Sequence, residues 1–283
     1  MVGNGLDGLF GNDYIAGGGG NDQIFGQSGD DKIQGDGSIA SRVAGGGVDY
    51  QRDAAGLVSV NVPSFEAATD GDDYIEGNAG NDLIYGNLGQ DDPIGGSSNL
   101  FGLTGGAGSV NRADVSDRIF GGAGTDTARN DLGDTATNGH ARDADAIVGD
   151  NGTIFRIVGT GGTANASQFL NFTYDNYNAG TGPLNKIVVR SIAQLDYTPG
   201  GPSFNAAGAA TDIGAADEVH GESGDDFIYG QVDNDALFGE GQDDDLIGGY
   251  GNDWISGGTG DDGVLGDDGR ILTSRNSSTY TDL

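Results

Sequence analysis

Aspartate recurs every nine residues over long stretches of the chain, and its carboxylate is the group whose spacing most clearly predicts chemistry. The longest unbroken series runs through the C-terminal part, at Asp217, Asp226, Asp235, Asp244, Asp253 and Asp262. The same frame appears earlier and, more weakly, near the middle of the chain, at Asp13, Asp22, Asp31, Asp73, Asp82, Asp91, Asp117 and Asp126. Asp145 stands apart as a lone half-repeat and is not counted among the predicted ligands. Carboxylates at such a regular spacing predict a row of sites for a hard divalent cation.

Two other positions of the frame indicate the structure that must carry these carboxylates. In the C-terminal series an apolar residue stands two places after each aspartate and a glycine four places after it, as Ile228 and Gly230 do for Asp226. Glycine-rich turns that bound very short apolar segments are typical of short strands. Because side chains alternate along a strand, only the apolar residue of each repeat is expected to point inward.

The composition indicates the same partner. The 283 residues include 57 glycines and 44 acidic residues against 12 Lys and Arg, and the formal net charge is -32. So large a negative charge repels nucleic acids and anionic membranes, and it opposes compaction unless cations are bound. Cysteine is absent, which excludes disulfides and thiolate metal sites. Cations are therefore the expected partners.

The segments GGYGNDWIS (248–256), GGTGDDGVL (257–265) and GGGGNDQIF (17–25) resemble the repeats-in-toxin (RTX, haemolysin-type) family. The resemblance implies an all-β fold, a right-handed parallel β-roll or β-solenoid in which two nonapeptide repeats complete one coil and several Ca²⁺ ions lie between stacked turns. It also implies that turn glycines serve as ligands together with the aspartates, at Gly18, Gly20, Gly80, Gly224, Gly249, Gly251, Gly258 and Gly260.

Two repeats per coil would stack Asp217 and Asp235 along one edge of the roll and Asp226 and Asp244 along the other. Strand spacing then places successive carboxylates about 5 Å apart. At an effective dielectric of about 20 such a pair repels by about 3 kcal/mol, so we expect the metal-free chain to be disordered. A flexible cage of carboxylate and carbonyl oxygens suits calcium better than magnesium, and zinc would favour His or Cys.

The repeat frame divides the chain into blocks. We expect calcium β-roll blocks at 1–39, 70–96 and 213–271, and degenerate β-roll repeats at 97–152. Insertions occupy 40–69 and 153–212, and a tail follows at 272–283. The segments LVSVNV (57–62), TIFRIV (153–158), FLNFTY (169–174) and KIVVRSI (186–192) predict hairpins or extra strands packed against the roll.

Some repeats depart from the pattern. Pro93 stands at an inward position and lacks an amide donor, so the roll is expected to end or bulge there. Ala128 is a poor core residue after Asp126. Asp233 and Gln242 replace turn glycines, which predicts distorted sites around Asp235 and Asp244.

Aromatic side chains beside the inward positions should face away from the core: Tyr14, Phe25, Tyr74, Tyr85, Phe227, Tyr229, Phe238 and Trp254. Either the insertions or neighbouring modules cover them, or they form a face that stacks on sugars or docks a partner.

No catalytic motif is recognisable, and the two histidines, His140 and His220, are expected to be lone surface residues, so we do not expect an enzyme. Three functions remain open. The chain could be a calcium-triggered folding module of a secreted adhesin or exoprotein, a structural protein that stacks into a filament or surface layer, or the non-catalytic part of a secreted hydrolase.

The location is expected to be extracellular or at the cell surface, and the resemblance implies export by a type I system. The first residues lack the pattern of a cleaved signal peptide and fall inside a repeat, which suggests a fragment of a longer protein. Partners other than calcium are expected to be copies of the chain or neighbouring modules, with no nucleic acid and no membrane insertion.

Overall fold

The computed structural model describes residues 11–37, 50–52, 58–60, 64–101, 114–136, 139–158, 187–200 and 210–272. The regular secondary structure of these residues is almost entirely β-strand. In chain order the elements are β1 (Tyr14–Ala16), β2 (Gln23–Ser28), β3 (Lys32–Gln34), β4 (Tyr50–Arg52), β5 (Val58–Val60), β6 (Tyr74–Ala79), β7 (Leu83–Tyr85), β8 (Asp92–Ile94), β9 (Arg118–Phe120), α1 (Gly139–Arg142), β10 (Ala146–Val148), β11 (Gly152–Arg156), β12 (Arg190–Gln194), β13 (Glu218–Ser223), β14 (Phe227–Val232), β15 (Ala236–Gly241), β16 (Asp245–Tyr250), β17 (Trp254–Thr259) and β18 (Gly263–Leu265).

Two seven-stranded parallel sheets form the body of the protein. The first sheet has the order β1-β3-β7-β9-β13-β15-β17, and the second has the order β18-β16-β14-β10-β8-β6-β2. From β13 onward the chain alternates between the sheets, so two repeats make one coil. This arrangement is a parallel β-roll, and it confirms the predicted fold class.

The core contains one apolar side chain from nearly every repeat, Pro93 and the exposed Val264 being outside the cluster. Its buried members are Ile24, Ile33, Ile75, Ile84, Ile119, Ile147, Val219, Ile228, Leu237 and Leu246, with Ile15 and Ile255 partly buried beside them. Each lies at the middle of its three-residue strand segment, in register with the next coil, as Leu237 pairs with Ile255. The prediction that only these positions point inward is confirmed.

The insertions interrupt the sequence but not the sheets. Ile33 of β3 pairs with Ile84 of β7, and Ile119 of β9 pairs with Val219 of β13. The isolated half-repeat at Asp145 supplies a full strand, because Ile147 of β10 pairs with Ile228. Repeats that lie far apart in the chain therefore build one continuous roll.

The expectation that the roll ends or bulges at Pro93 is wrong. Pro93 pairs in register with Ile75, and the next residue of β8, Ile94, pairs with Val148 of β10. Proline removes only its own donor, while the flanking amides still bond: Asp92 N donates to Asp73 O at 2.9 Å and Gly95 N to Val148 O at 3.0 Å. One missing donor in an otherwise complete ladder does not stop the stack.

The insertion at 153–212 contributes an antiparallel hairpin, β11 with β12, and the earlier one contributes β4 with β5, as predicted. Ile154 and Ile192 pack on Ile94 and Val148 of the second sheet. The guanidinium groups of Arg156 and Arg190 both donate to Asp92, at 2.6 and 2.9 Å. The predicted strand at 169–174 lies outside the described residues.

The outward aromatic side chains have different environments. Tyr85, Phe120, His220 and Phe238 stack along the first sheet with ring centroids 4.8–5.0 Å apart. Tyr85 is buried, whereas Trp254 is 78% exposed at the last coil. Burial by neighbouring residues therefore accounts for Tyr85 but leaves Trp254 open to solvent. The described residues include no helix long and apolar enough to cross a membrane.

The inward stack yields a stability prediction. Leu246→Ala removes a fully buried side chain and should lower the free energy of unfolding in saturating calcium by about 2–5 kcal/mol. Val264→Ala is the matched control, because Val264 pairs with Leu246 in the end coil but is 45% exposed. Urea unfolding measures both variants, and equal losses would contradict the assigned core.

Candidate metal centre

The repeat aspartates form two ladders, one along each edge of the roll. Ladder 1 precedes the strands of the first sheet and ladder 2 those of the second. In both, the backbone amide of one aspartate donates to Oδ1 of the aspartate in the next coil, at 2.7–3.1 Å. Ladder 1 consists of Asp13, Asp31, Asp82, Asp117, Asp217, Asp235 and Asp253. Ladder 2 consists of Asp22, Asp73, Asp91, Asp145, Asp226, Asp244 and Asp262.

The second carboxylate oxygen of these residues points into the turn. Among the described residues, Oδ2 is buried without a protein hydrogen-bond partner in Asp31, Asp73, Asp91, Asp117, Asp145, Asp217, Asp235, Asp244 and Asp253. A buried carboxylate oxygen without a partner is costly, and one in nearly every coil indicates a ligand common to all of them.

Glycine makes room for this oxygen. A Cβ atom built on Gly239 would clash with Oδ2 of Asp244 and with the carbonyl oxygen of Gly257 in the next coil. The same relation holds for Gly230, with Asp235 and Gly248. A carboxylate oxygen and a carbonyl oxygen of successive turns therefore meet over a bare Cα, which explains the glycine four places after each aspartate.

Of the glycines predicted as ligands, Gly249 lies in β16 and Gly258 in β17, and the others lie between strands. Gly18, Gly20, Gly80, Gly224, Gly249, Gly258 and Gly260 have φ between 102 and 139°. At Gly251 a Cβ would clash with the carbonyl oxygen of Asp233. Glycine adopts positive φ values without strain, which explains its recurrence at these positions, and the ligand role of these glycines stays a prediction.

The predicted distortion does not reach the ladder hydrogen bonds of Asp235 and Asp244. Asp233 and Gln242 adopt the left-handed conformation that glycine has elsewhere, with φ of 78 and 85°. Both ladder bonds persist, to Asp235 Oδ1 at 2.9 Å and to Asp244 Oδ1 at 3.0 Å. Gln242 Nε2 also donates to Asp134 O at 2.7 Å, so a tertiary contact helps hold the strained turn.

Electrostatics disfavour charge in the metal-free ladders. Burial raises the pKa of Asp73 to about 7 and that of Asp235 to about 8. Burial also raises the pKa of Asp145 well above its usual range, and repulsion from Asp91 and Asp226 on either side adds to this effect. The ladders therefore favour either protons or cations.

The donors fit calcium. They are carboxylate and carbonyl oxygens in glycine-rich turns, which is the ligand type that Ca²⁺ prefers, and they recur where buried oxygens lack protein partners. The ladder aspartates would hold the ions, and binding would neutralise the repulsion between successive coils.

All predicted aspartates except Asp126 lie in a ladder. The amide of Asp126 donates to Glu222 Oε2 at 2.8 Å, and Ala128 provides no inward strand residue, so this segment leaves the stack. Asp145, which the sequence showed only as a half-repeat, occupies a full ladder position between Asp91 and Asp226. Its signal was the apolar segment Ala146–Val148.

The expectation of lone surface histidines is wrong. His140 is buried, and its Nδ1 lies 2.7 Å from Asp225 Oδ1. His220 is also buried, stacked between Phe120 and Phe238, with its ring nitrogens 2.9 Å from Glu240 and 3.1 Å from Glu218. The partners of His140 and His220 come from other coils or from the outward face of a strand, where sequence spacing does not reveal them.

Comparison with known families gives one result. Residues 6–38, 67–99, 116–134, 214–246 and 238–270, about half of the chain, match the family model described as RTX calcium-binding nonapeptide repeat (4 copies). No curated protein sequence matches the chain. The matched stretches contain every ladder aspartate except Asp145.

Replacing a ladder aspartate by asparagine tests the roles of its two carboxylate oxygens separately. In the parent protein the Asp117 amide donates to Asp217 Oδ1 at 2.8 Å. Asp217→Asn keeps this acceptor but removes the charge and Oδ2. We expect the dissociation constant of at least one calcium site to rise about tenfold, or about 1.4 kcal/mol. Calorimetric titration tests this, with Asp131→Asn, outside the ladders, as control. Unchanged binding would mean that Asp217 serves only as a hydrogen-bond acceptor.

The glycine contact gives a second test. Gly239→Ala should destabilise the calcium-loaded roll by about 1–3 kcal/mol and weaken calcium binding, because its methyl group would overlap Asp244 Oδ2. Gly266 has the same place in its repeat, but no heavy atom lies within 4 Å of a Cβ built there. Gly266→Ala should therefore change neither property, and similar effects of both variants would contradict the assignment.

The raised pKa values predict that the metal-free roll becomes more stable as the pH falls. Protonation of Asp73 and Asp235 stabilises the metal-free roll fully below about pH 4, and this stability is lost as the pH rises through about 7 and 8. Circular dichroism of calcium-stripped protein should show β-structure appearing as the pH falls from 8. Stability that instead increases with pH would contradict the buried position of these carboxylates.

Proposed function

Because the chain belongs to the RTX calcium-binding nonapeptide repeat family, we propose that it is a calcium-triggered folding module of a secreted bacterial protein such as an adhesin or exoprotein. The observation that carries this proposal is the pair of aspartate ladders, in which buried Oδ2 atoms recur without protein partners. Calcium binding would then be a condition of folding.

Mass action gives the size of the effect. Extracellular calcium modules have dissociation constants of about 10⁻⁴ to 10⁻³ M. Calcium about tenfold above such a constant contributes roughly 1.4 kcal/mol per site, so around four sites contribute about 5–6 kcal/mol. That sum is comparable to the whole net stability of an ordinary domain. Occupancy would thus decide whether the roll forms.

The same balance supports a role outside the cell. At the much lower free calcium of a cytosol, carboxylate repulsion and the entropy of 57 glycines would keep the chain unfolded and suitable for export. Folding would follow on the outside, where calcium is abundant. We propose export by a type I system on this basis.

We propose a binding and structural role for this chain in place of catalysis. Apart from Asp13 and Asp22, the first described member of each ladder, the ladder carboxylates accept a backbone amide through Oδ1. Oδ2, as in Asp235 and Asp244, is left for a metal ion. The two histidines are held in side-chain networks by acidic partners.

Hydrogen exchange tests the folding switch. The amides of Ile228, Leu246 and Ile255 should exchange freely at submicromolar calcium and be strongly protected at millimolar calcium. Magnesium at the same concentration is the control and should protect them far less, because it demands octahedral geometry and dehydrates reluctantly. Equal protection at both calcium concentrations would mean that the ion binds a roll that is already folded.

A further inference from the structure

A second cluster of metal-ligating side chains lies beside ladder 2. His140, Asp225 and Asp243 each place a donor atom within 4.8 Å of the other two. Asp225 and Asp243 immediately precede the ladder residues Asp226 and Asp244 and come from successive coils. His140 comes from α1, in the segment between β9 and β10. The cluster therefore joins an irregular segment to two stacked turns.

Hydrogen bonds hold the three residues next to one another. The carbonyl oxygen of His140 accepts a hydrogen bond from the Asp225 amide at 3.1 Å, and Asp225 Oδ1 accepts one from the Asp243 amide at 3.2 Å. His140 Nδ1 lies 2.7 Å from the same Asp225 oxygen. His140 and Asp225 are buried and Asp243 is partly exposed, so an ion could enter from the side of Asp243.

The donor set differs in kind from that of the ladders. An imidazole nitrogen with two carboxylates is a typical ligand set for zinc and related transition metals, whereas calcium takes oxygen donors. We propose that His140, Asp225 and Asp243 bind a divalent transition metal of the Zn²⁺ class. The ion would fasten α1 to two successive turns of the roll, a function separate from calcium-driven folding.

The neighbouring coil offers a built-in comparison. Asp261 continues the row, because its amide donates to Asp243 Oδ1 at 2.9 Å. It precedes Asp262 as Asp225 precedes Asp226, but it is not a member of the three-residue cluster that contains His140. If a row of aspartates alone could bind zinc, replacing Asp261 would weaken zinc binding as much as replacing Asp243.

The test uses the full chain saturated with calcium and titrated with Zn²⁺. The chain has two histidines, so nitrogen-15 NMR of the imidazole rings shows two side chains. One equivalent of zinc should shift the ring nitrogens of His140 and leave those of His220 unchanged. Calorimetry should give one zinc per chain that excess calcium does not displace.

Variants assign the ligands. His140→Gln should abolish the zinc site, and Asp243→Asn should weaken it at least tenfold while keeping the Oδ1 acceptor for the Asp261 amide. Asp261→Asn, the matched control, should bind zinc as the parent does. Circular dichroism in calcium verifies that each variant folds, and if His140→Gln does not fold, Asp243→Asn decides alone.

Three results would overturn the proposal. Zinc could leave the His140 nitrogens unshifted, excess calcium could displace it, or Asp243→Asn could bind it as tightly as the parent protein. The first result would mean that His140 and Asp225 form a hydrogen bond without a metal. The second would mean that the site is not selective for a transition metal, and the third that Asp243 is not a ligand.

Discussion

The structure depends on the hydrogen bonds that link each ladder from coil to coil, in which a backbone amide donates to the carboxylate of the next aspartate. This bond directs Oδ1 along the stack, so Oδ2 must point into the turn, as in Asp235 and Asp244. The turn has room for that oxygen because Gly230, beside Asp235, and Gly239, beside Asp244, have no side chain. The aspartate, the glycine and the nine-residue spacing are therefore consequences of one local geometry repeated through the roll.

That geometry makes the protein dependent on cations. Each repeat contributes a single inward apolar side chain, so the core is a narrow column of Ile, Leu and Val. The charged ladder carboxylates oppose folding, because burial and mutual repulsion raise the pKa of residues such as Asp145 and Asp217. With 44 acidic residues and only 12 basic ones, the chain has few internal counter-charges, and divalent cations supply the missing positive charge.

Much of the fold could be predicted because the period expresses a strictly local requirement. In every complete repeat an apolar residue follows the aspartate by two places, as Ile228 follows Asp226. The rest depends on contacts that spacing does not encode: Ile119 pairs with Val219 across an insertion, and His140 meets Asp225, 85 residues away. Asp126 keeps the frame but lacks an inward side chain at Ala128, whereas Asp145 keeps the strand without the glycine turn, so sequence reasoning selected Asp126 and omitted Asp145.

A crystal structure of the calcium-loaded protein, with an anomalous difference map, can test the assignment of calcium to Oδ2 of the ladder aspartates. Calcium peaks are expected along both edges, each about 2.3–2.6 Å from an Oδ2 atom such as that of Asp235 or Asp244. This is the geometry that the assignment requires. Well-ordered ladders without calcium beside Oδ2, or calcium only at exposed surface carboxylates, would contradict it.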